Sequence, residues 1–227
     1  MADWKEEEAV FVDQILDGER PNVELQCCEC KRVEELWRCI ECFGGPIYCK
    51  KCIATAHQKT PFHRVEQWKD THFEPSWLWQ TGVILHLGHF GDPCPTSGPS
   101  INPDLAWQVG EDPLTATFSG GARPGRRVVD GHKVVVVLHT NGVHHCLVRP
   151  CGCPNAGDEK AQFLAGQLYP ASMKDIRTVA TFGLLDDHHM SVLECHCSTY
   201  AFYNRLCRIT NKAFPQTVPV SDGLQLW

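Results

Sequence analysis

No apolar run in this chain approaches the ~20 residues that a membrane-spanning helix needs. The N-terminus, "MADWKEEEAVFVDQ", offers neither a basic region nor an apolar core of the signal-peptide kind, so the reading is an intracellular protein. The catalytic signatures G-x-S-x-G, H-E-x-x-H and the phosphate-binding P-loop are all missing, and so is any fixed-period repeat. There is also little net charge outside the first 26 residues. Those residues hold eight acids against Lys5 and Arg20, and the rest balances nineteen acids with nineteen bases. Charge therefore neither demands a nucleic-acid partner nor excludes one.

Cysteine, by contrast, is abundant. Fourteen thiols in a reducing compartment would not persist as disulfides, and C-x-x-C spacing there points to metal or redox chemistry. "CCECKRVEELWRCIECFGGPIYCKKCIATAHQKTPFH" holds three such pairs, Cys27/Cys30, Cys39/Cys42 and Cys49/Cys52, followed by His57 and His63. A redox motif would be one isolated pair. Zinc takes four ligands in a tetrahedron, and these eight residues supply two complete sets with none left over. Cys27 is preferred to Cys28 because it gives the C-x-x-C turn that brings both sulfurs to one ion, with Cys28 as the alternative. Spacing leaves both sequential and alternating pairing open. The apolar residues of this stretch, Leu36, Trp37, Ile40, Phe43, Ile47, Tyr48, Ile53 and Phe62, are too few for a core, and structural zinc contributes on the order of 10–16 kcal/mol in small peptides.

Along the chain, residues 5 to 17 read as an amphipathic helix ended by Gly18 and Pro21. A Trp- and Phe-marked connector follows the cysteine block, with a strand in "GVILHLGH". Pro, Gly and Ser between Pro95 and His132 read as a long loop. "HKVVVVLHTNGVHHCLVR" is a hairpin turning at Asn141-Gly142, its Val134 to Leu138 run buried on both faces. "GDEKAQFLAGQ" reads as a helix, "RTVATFG" as a strand, and "LLDDHHMSVLE" and "STYAFYNRLCRITN" as helices, the last capped by Ser198. The fold class expected is small α+β: a zinc-stabilised module, then an α+β region with a hairpin, ending in helices. Domain limits are placed at 1–26 for an acidic helix and arm, 27–66 for the two-zinc module, 67–214 for the α+β region with its insertion near 95–132, and 215–227 for a tail.

The ligand pattern C-x2-C-x8-C-x2-C-x6-C-x2-C-x4-H-x5-H resembles the ZZ and B-box class of zinc fingers. That resemblance implies a cross-brace, with Cys27, Cys30, Cys49 and Cys52 on one ion and Cys39, Cys42, His57 and His63 on the other. A longer resemblance is carried by "WRCIECFGGPIYCKKCIATAHQKTPFHRVEQW", "LGHFGDPCP", "TNGVHHCLVRPCGC" and "TFGLLDDHHMSVLECHCSTYAFYNRLCRITN". In this order they resemble the CxC-like cysteine-cluster domain associated with fungal Kyakuja-Dileera-Zisupton (KDZ) transposases, from about Ala9 to Asn211 apart from the Pro95 to His132 loop. The resemblance implies a nuclear, transposon-associated, zinc-chelating module without catalysis of its own. The family's RNase H-like catalytic domain has no room here, so the expectation is an orphan module, a gene remnant or a fragment.

The same match pairs "GHFGDPC" with the C-x-C of Cys151 and Cys153, and a third zinc site from His89, Cys94, Cys151 and Cys153 is expected. His86, His139, His144, His145 and Cys146 are the alternative ligands. Cys195, His196 and Cys197 read as helix-face residues. Asp186 to His189 reads as a solvated helix turn, the i, i+3 pair Asp186 and His189 keeping a metal alternative. The function expected is a non-catalytic zinc-binding interaction module that binds DNA or a nuclear protein, with a transposase catalytic domain as a further candidate partner and no membrane. The alternative is a RING- or B-box-like ubiquitin-pathway protein.

Overall fold

The computed structural model describes residues 2–19, 25–96, 128–129 and 132–218. Helix α1 spans Ala2–Glu19. Four short strands follow, β1 (Leu36–Cys39), β2 (Ile47–Cys49), β3 (Val65–Lys69) and β4 (His72–Ser76), with helix α2 (Lys50–Ala56) after β2. They form one antiparallel sheet in the order β2-β1-β3-β4. A second sheet runs β5 (Ile84–His86), β8 (Gly142–Arg149), β7 (His132–His139), β10 (Thr178–Thr181), β9 (Leu168–Pro170), with β6 (Val128–Val129) beside the start of β7. Helices α3 (Glu159–Ala165), α4 (Phe182–Cys195) and α5 (Thr199–Thr210) complete the α+β fold.

The stretch read as a connector is in fact half of the first sheet. Val65 to Lys69 pairs with His72 to Ser76 around a turn at Asp70, whose φ of 53° is left-handed. Two features hid it: Pro75 sits in the pairing, which only an edge strand tolerates, and the aromatics share one side, where Trp68 meets Phe73 at 5.0 Å. This hairpin and the turn that follows it supply what the cysteine block lacks. Trp37 and Ile53 are fully buried against Val65, Leu78 and Val83, all from beyond His63. Ile40 and Phe43, counted above among the core candidates, stand in solvent instead.

In the second sheet the hairpin lies where expected, but its turn is one residue earlier. His139 pairs with Gly142, which leaves Thr140 and Asn141 as the loop. Gly142 belongs to the strand at φ 139°, and a Cβ there would meet Thr210 Oγ1 at 2.9 Å. That hydroxyl accepts from Val143 N at 2.8 Å and donates to Leu206 O, so α5 is fastened to the hairpin at this point. Val135 and Val137 face α3 through Phe163, while Leu138, Val143 and Ala180 face α4 and α5 through Leu184, Phe202 and Leu206. Val134 and Val136 are only half-buried, so the run is less enclosed than its apolar character suggests. Polar caps start the helices: Asp158 accepts from Ala161 N, Thr181 from Leu184 N and Ser198 from Ala201 N. Most of the loop expected near 95–132 lies outside the described residues.

The two sheets are fastened together through residues 62–64. Phe62 packs into the second core, its ring 5.1 Å from that of His139. Asn141 donates to the Phe62 carbonyl at 2.8 Å, and Arg64 reaches the Ile209 carbonyl.

Candidate metal centres

Three groups of four side chains could each hold a metal ion: Cys27, Cys30, Cys49 and Cys52; Cys39, Cys42, His57 and His63; and His89, Cys94, Cys151 and Cys153. Within each, the four ligand atoms lie within 4.8 Å of one another. In the first two groups the ligand pairs alternate along the chain, first and third against second and fourth.

The first group joins the loop before β1 to the junction of β2 and α2. Its knuckle is built by backbone: Cys27 N donates to Arg32 O, and Lys31, at φ 63°, returns a bond to Cys27 O. Cys27 is thereby drawn into the interior, whereas the neighbouring Cys28 side chain is exposed. Burial raises the Cys27 thiol, but backbone N–H groups of Cys30, Cys49 and Glu29 aimed at its sulfur outweigh that and bring it down to about 6. Such donors favour the thiolate, the form that binds metal.

The second group joins the end of β1 and the loop after it to the C-cap of α2 and the loop behind that helix. His57 is 1 % exposed, and its Nδ1 donates to the Ile53 carbonyl at 2.9 Å, which leaves Nε2 as the free lone pair. That Nε2 lies 3.5 Å from Cys42 Sγ, and His63 Nδ1 lies 3.5 Å from both Cys39 Sγ and Cys42 Sγ. Burial pushes the Cys39 thiol up to about 11. A divalent cation among the ligands overrides that tendency, since a coordinating thiol is deprotonated outright.

The third group sits at the C-terminal ends of the parallel neighbours β5 and β8. Gly88, His89, Phe90 and Gly91 all have positive φ, turning the chain so that His89 Nε2 comes 3.2 Å from Cys151 Sγ and 3.4 Å from Cys153 Sγ. Gly88 is required here, because a Cβ would stand 3.0 Å from the Cys151 Cβ. Cys94 Sγ lies 3.6 Å from Cys151 Sγ and 3.7 Å from Cys153 Sγ. Two supports could not be read from sequence. The Thr96 hydroxyl approaches Cys94 Sγ at 3.0 Å, and the buried Gln162 clamps the C-x-C arm from α3. Its Oε1 accepts from Cys151 N at 2.7 Å, while its Nε2 donates to the carbonyls of Cys151 and Gly157.

These separations fit a metal and not a disulfide. A tetrahedron with Zn–S of about 2.3 Å and Zn–N of about 2.0 Å has S···S edges near 3.8 Å and S···N edges near 3.5 Å. In the first group Cys30 Sγ and Cys49 Sγ lie 3.5 Å apart, far beyond the ~2.05 Å of a disulfide, and no disulfide joins any of the described cysteines. All four positions of each group are protein side chains, the closed set of a structural site.

Other candidates are not gathered. Among the described residues His86, His139, His144, His145 and Cys146 join no metal-binding group. His144 is instead a core residue whose Nε2 lies 2.7 Å from Asn141 Oδ1. Cys195, His196 and Cys197 fall at the end of α4, where His196 takes a left-handed C-cap conformation, and no metal-binding group includes them. Asp186 and His189 are exposed on α4.

A chain whose cysteines and histidines gather in this way is a cysteine-cluster protein, with several groups able to hold metal ions. Residues 120–213 match the family model described as a CxC2-like cysteine cluster associated with KDZ transposases. The matched stretch runs through the hairpin and α5 and includes Cys151 and Cys153; the first two groups, and residues 9 to 119 of the resemblance noted above, precede it. No curated protein and no solved structure matches the chain. Among the described residues no helix is long and apolar enough to cross a membrane.

Proposed function

We propose that this chain is a non-catalytic, zinc-stabilised interaction module of the transposase-associated kind, working in the nucleus, with zinc in all three groups. The observation that carries this reading is that each group is closed by four protein ligands. A closed site has no open position for water or substrate, so the ions act as structural staples and do not activate a nucleophile. His57 through Nε2 and His63 through Nδ1 complete the second set, and His89 through Nε2 the third.

The partner proposed is a protein. Arg38, Lys59, Arg64, Lys133, Arg177 and Arg205 each hold a carboxylate of the same chain. Such pairing engages six of the chain's twenty-one lysines and arginines, several of them half-buried, and those six are not spread out for a phosphate backbone, whose binding depends on releasing condensed counterions. Meanwhile Phe43 and Phe90, each next to a proposed ligand, are fully exposed, as anchors for a protein surface would be.

Elemental analysis of protein purified without chelator tests the core of this reading, with three zinc equivalents expected and fewer than two overturning it. A salt titration against duplex DNA tests the partner, since tight binding that weakens steeply with salt would replace protein by DNA. Supercoiled plasmid with Mg²⁺ or Mn²⁺, and a ubiquitin-charged conjugating enzyme, test the absence of catalysis. Nicking or accelerated discharge that depends on Cys27 to His63 would overturn it.

A further inference from the structure

Away from the metal centres, the outer face of α4 exposes apolar and ionisable side chains together. Of its fourteen residues only Leu184 is buried. The inward side also carries His188, whose ring meets Phe202 at 4.9 Å, and Asp187, 3.2 Å from Arg205. On the outward side Phe182 is 39 %, Met190 54 % and Leu193 57 % exposed, with Asp186 and His189 exposed between them. Phe182, Asp186, His189 and Leu193 succeed one another at steps of four, three and four residues, the spacing that forms a seam between paired helices.

The order of these side chains is what points to an occupant. About a twofold axis midway between Asp187 and His188, a second α4 running the opposite way sets Phe182 against Leu193, and Asp186 against His189, each pair occurring twice. Beside the seam, one flank brings Gly183 toward Met190 of the second copy and the other brings Leu185 toward Val192, small against large and apolar against apolar. A parallel arrangement fails, because it stacks Asp186 on Asp186. We infer that α4 is a self-association surface, and that a second copy of this chain docks on it antiparallel. Tyr169 extends the surface: it pairs with Ala180, whose side chain lies in the core under α4, so this tyrosine stands on the same side of the sheet. One 14-residue helix and its margin bury less than the roughly 1,200 Å² of a standard interface, so the dimer is a weak, concentration-dependent one.

Sedimentation equilibrium of the zinc-replete full chain over a wide concentration range tests this directly. A reversible monomer–dimer equilibrium is expected for the wild type. Leu193→Asp and, separately, Asp186→Lys should each weaken it by at least about tenfold, since each places an unmatched charge in the seam. Asp186→Lys combined with His189→Glu sets opposite charges across the axis and should return the dimer to within about threefold of wild type. All these positions are solvent-facing, so zinc content and far-UV circular dichroism should not change. A wild type that stays monomeric throughout, a dimer indifferent to Leu193→Asp, or a double variant no better than Asp186→Lys alone would each overturn the inference. None of these outcomes bears on zinc stoichiometry, so the metal reading stands or falls separately.

Discussion

Acid should destabilise this protein, and a measurable part of that loss traces to one histidine. His144 is 3 % exposed, with its Nε2 2.7 Å from the Asn141 side-chain oxygen. Burial, reinforced by the neighbouring His139, Arg64, His145 and His63, lowers it from its ordinary 6.5 to about 3. Because the folded-state value is the lower one, the unfolded chain takes up the proton first. Stability is fully present above about pH 7 and is lost as pH falls through 6.5 toward 3, at a limiting 1.36 kcal/mol per unit for one proton. From pH 7 to pH 5 that integrates to about 2 kcal/mol. His144→Gln keeps a donor for Asn141 and cannot titrate. Urea unfolding of both proteins in zinc-containing buffer at pH 7.5, 6.5 and 5.5 compares their slopes of stability against pH, and the metal centres contribute equally to each. The variant should be flatter by about half a proton averaged between pH 7.5 and 5.5, rising toward one proton at the acid end, whatever its stability at pH 7.5. Parallel slopes would refute the claim that His144 is held neutral in the fold.

Cys39→Ser should unfold the first sheet and release metal, because binding free energy there is folding free energy, whereas Cys195→Ser should leave zinc content and melting temperature unchanged. Gln162→Met should lose about one metal equivalent while retaining two, and in cobalt-substituted protein the ligand-to-metal absorption should fall by about a third; a full complement would remove Gln162 from the third centre. Gly142→Ala, which adds a Cβ 2.9 Å from Thr210 Oγ1 at a φ of 139°, should cost about 1–3 kcal/mol in thermal unfolding, and a neutral result would mean that α5 can shift to make room.

Features set by local chemistry were legible in the sequence. The eight candidate ligands between Cys27 and His63, Cys28 set aside, stand out because each knuckle is a turn of four residues. The β7–β8 hairpin does so because its branched residues are contiguous. What was not legible depends on distant partners. Strands β1 and β2 are three or four residues long and end in cysteines, so they carry no usable alternation. The β3–β4 pair and the turn after it looked like a connector because their worth appears only when Trp37 and Ile53 are placed against Val65 and Leu78. His89 and Cys94 could be joined to Cys151 and Cys153 only through a resemblance, and Gln162 had no signature at all, since its role consists of reaching Cys151 across the turn of a loop.

The ligands of the third centre lie far apart in the chain, His89 being 62 residues from Cys151, whereas those of the first two are all in hand once His63 has been made. During synthesis from the N-terminus the order of assembly is therefore imposed by chain length. The first two centres can load while the rest of the protein is still being translated, and the third waits until β8 and the C-x-C arm have emerged. That late ion closes a long loop, for which the entropy of closure grows only slowly with length. It marks completion: a chain stopped short of Cys153 can be folded at its head and still lack the staple that ties the end of β5 to the end of β8.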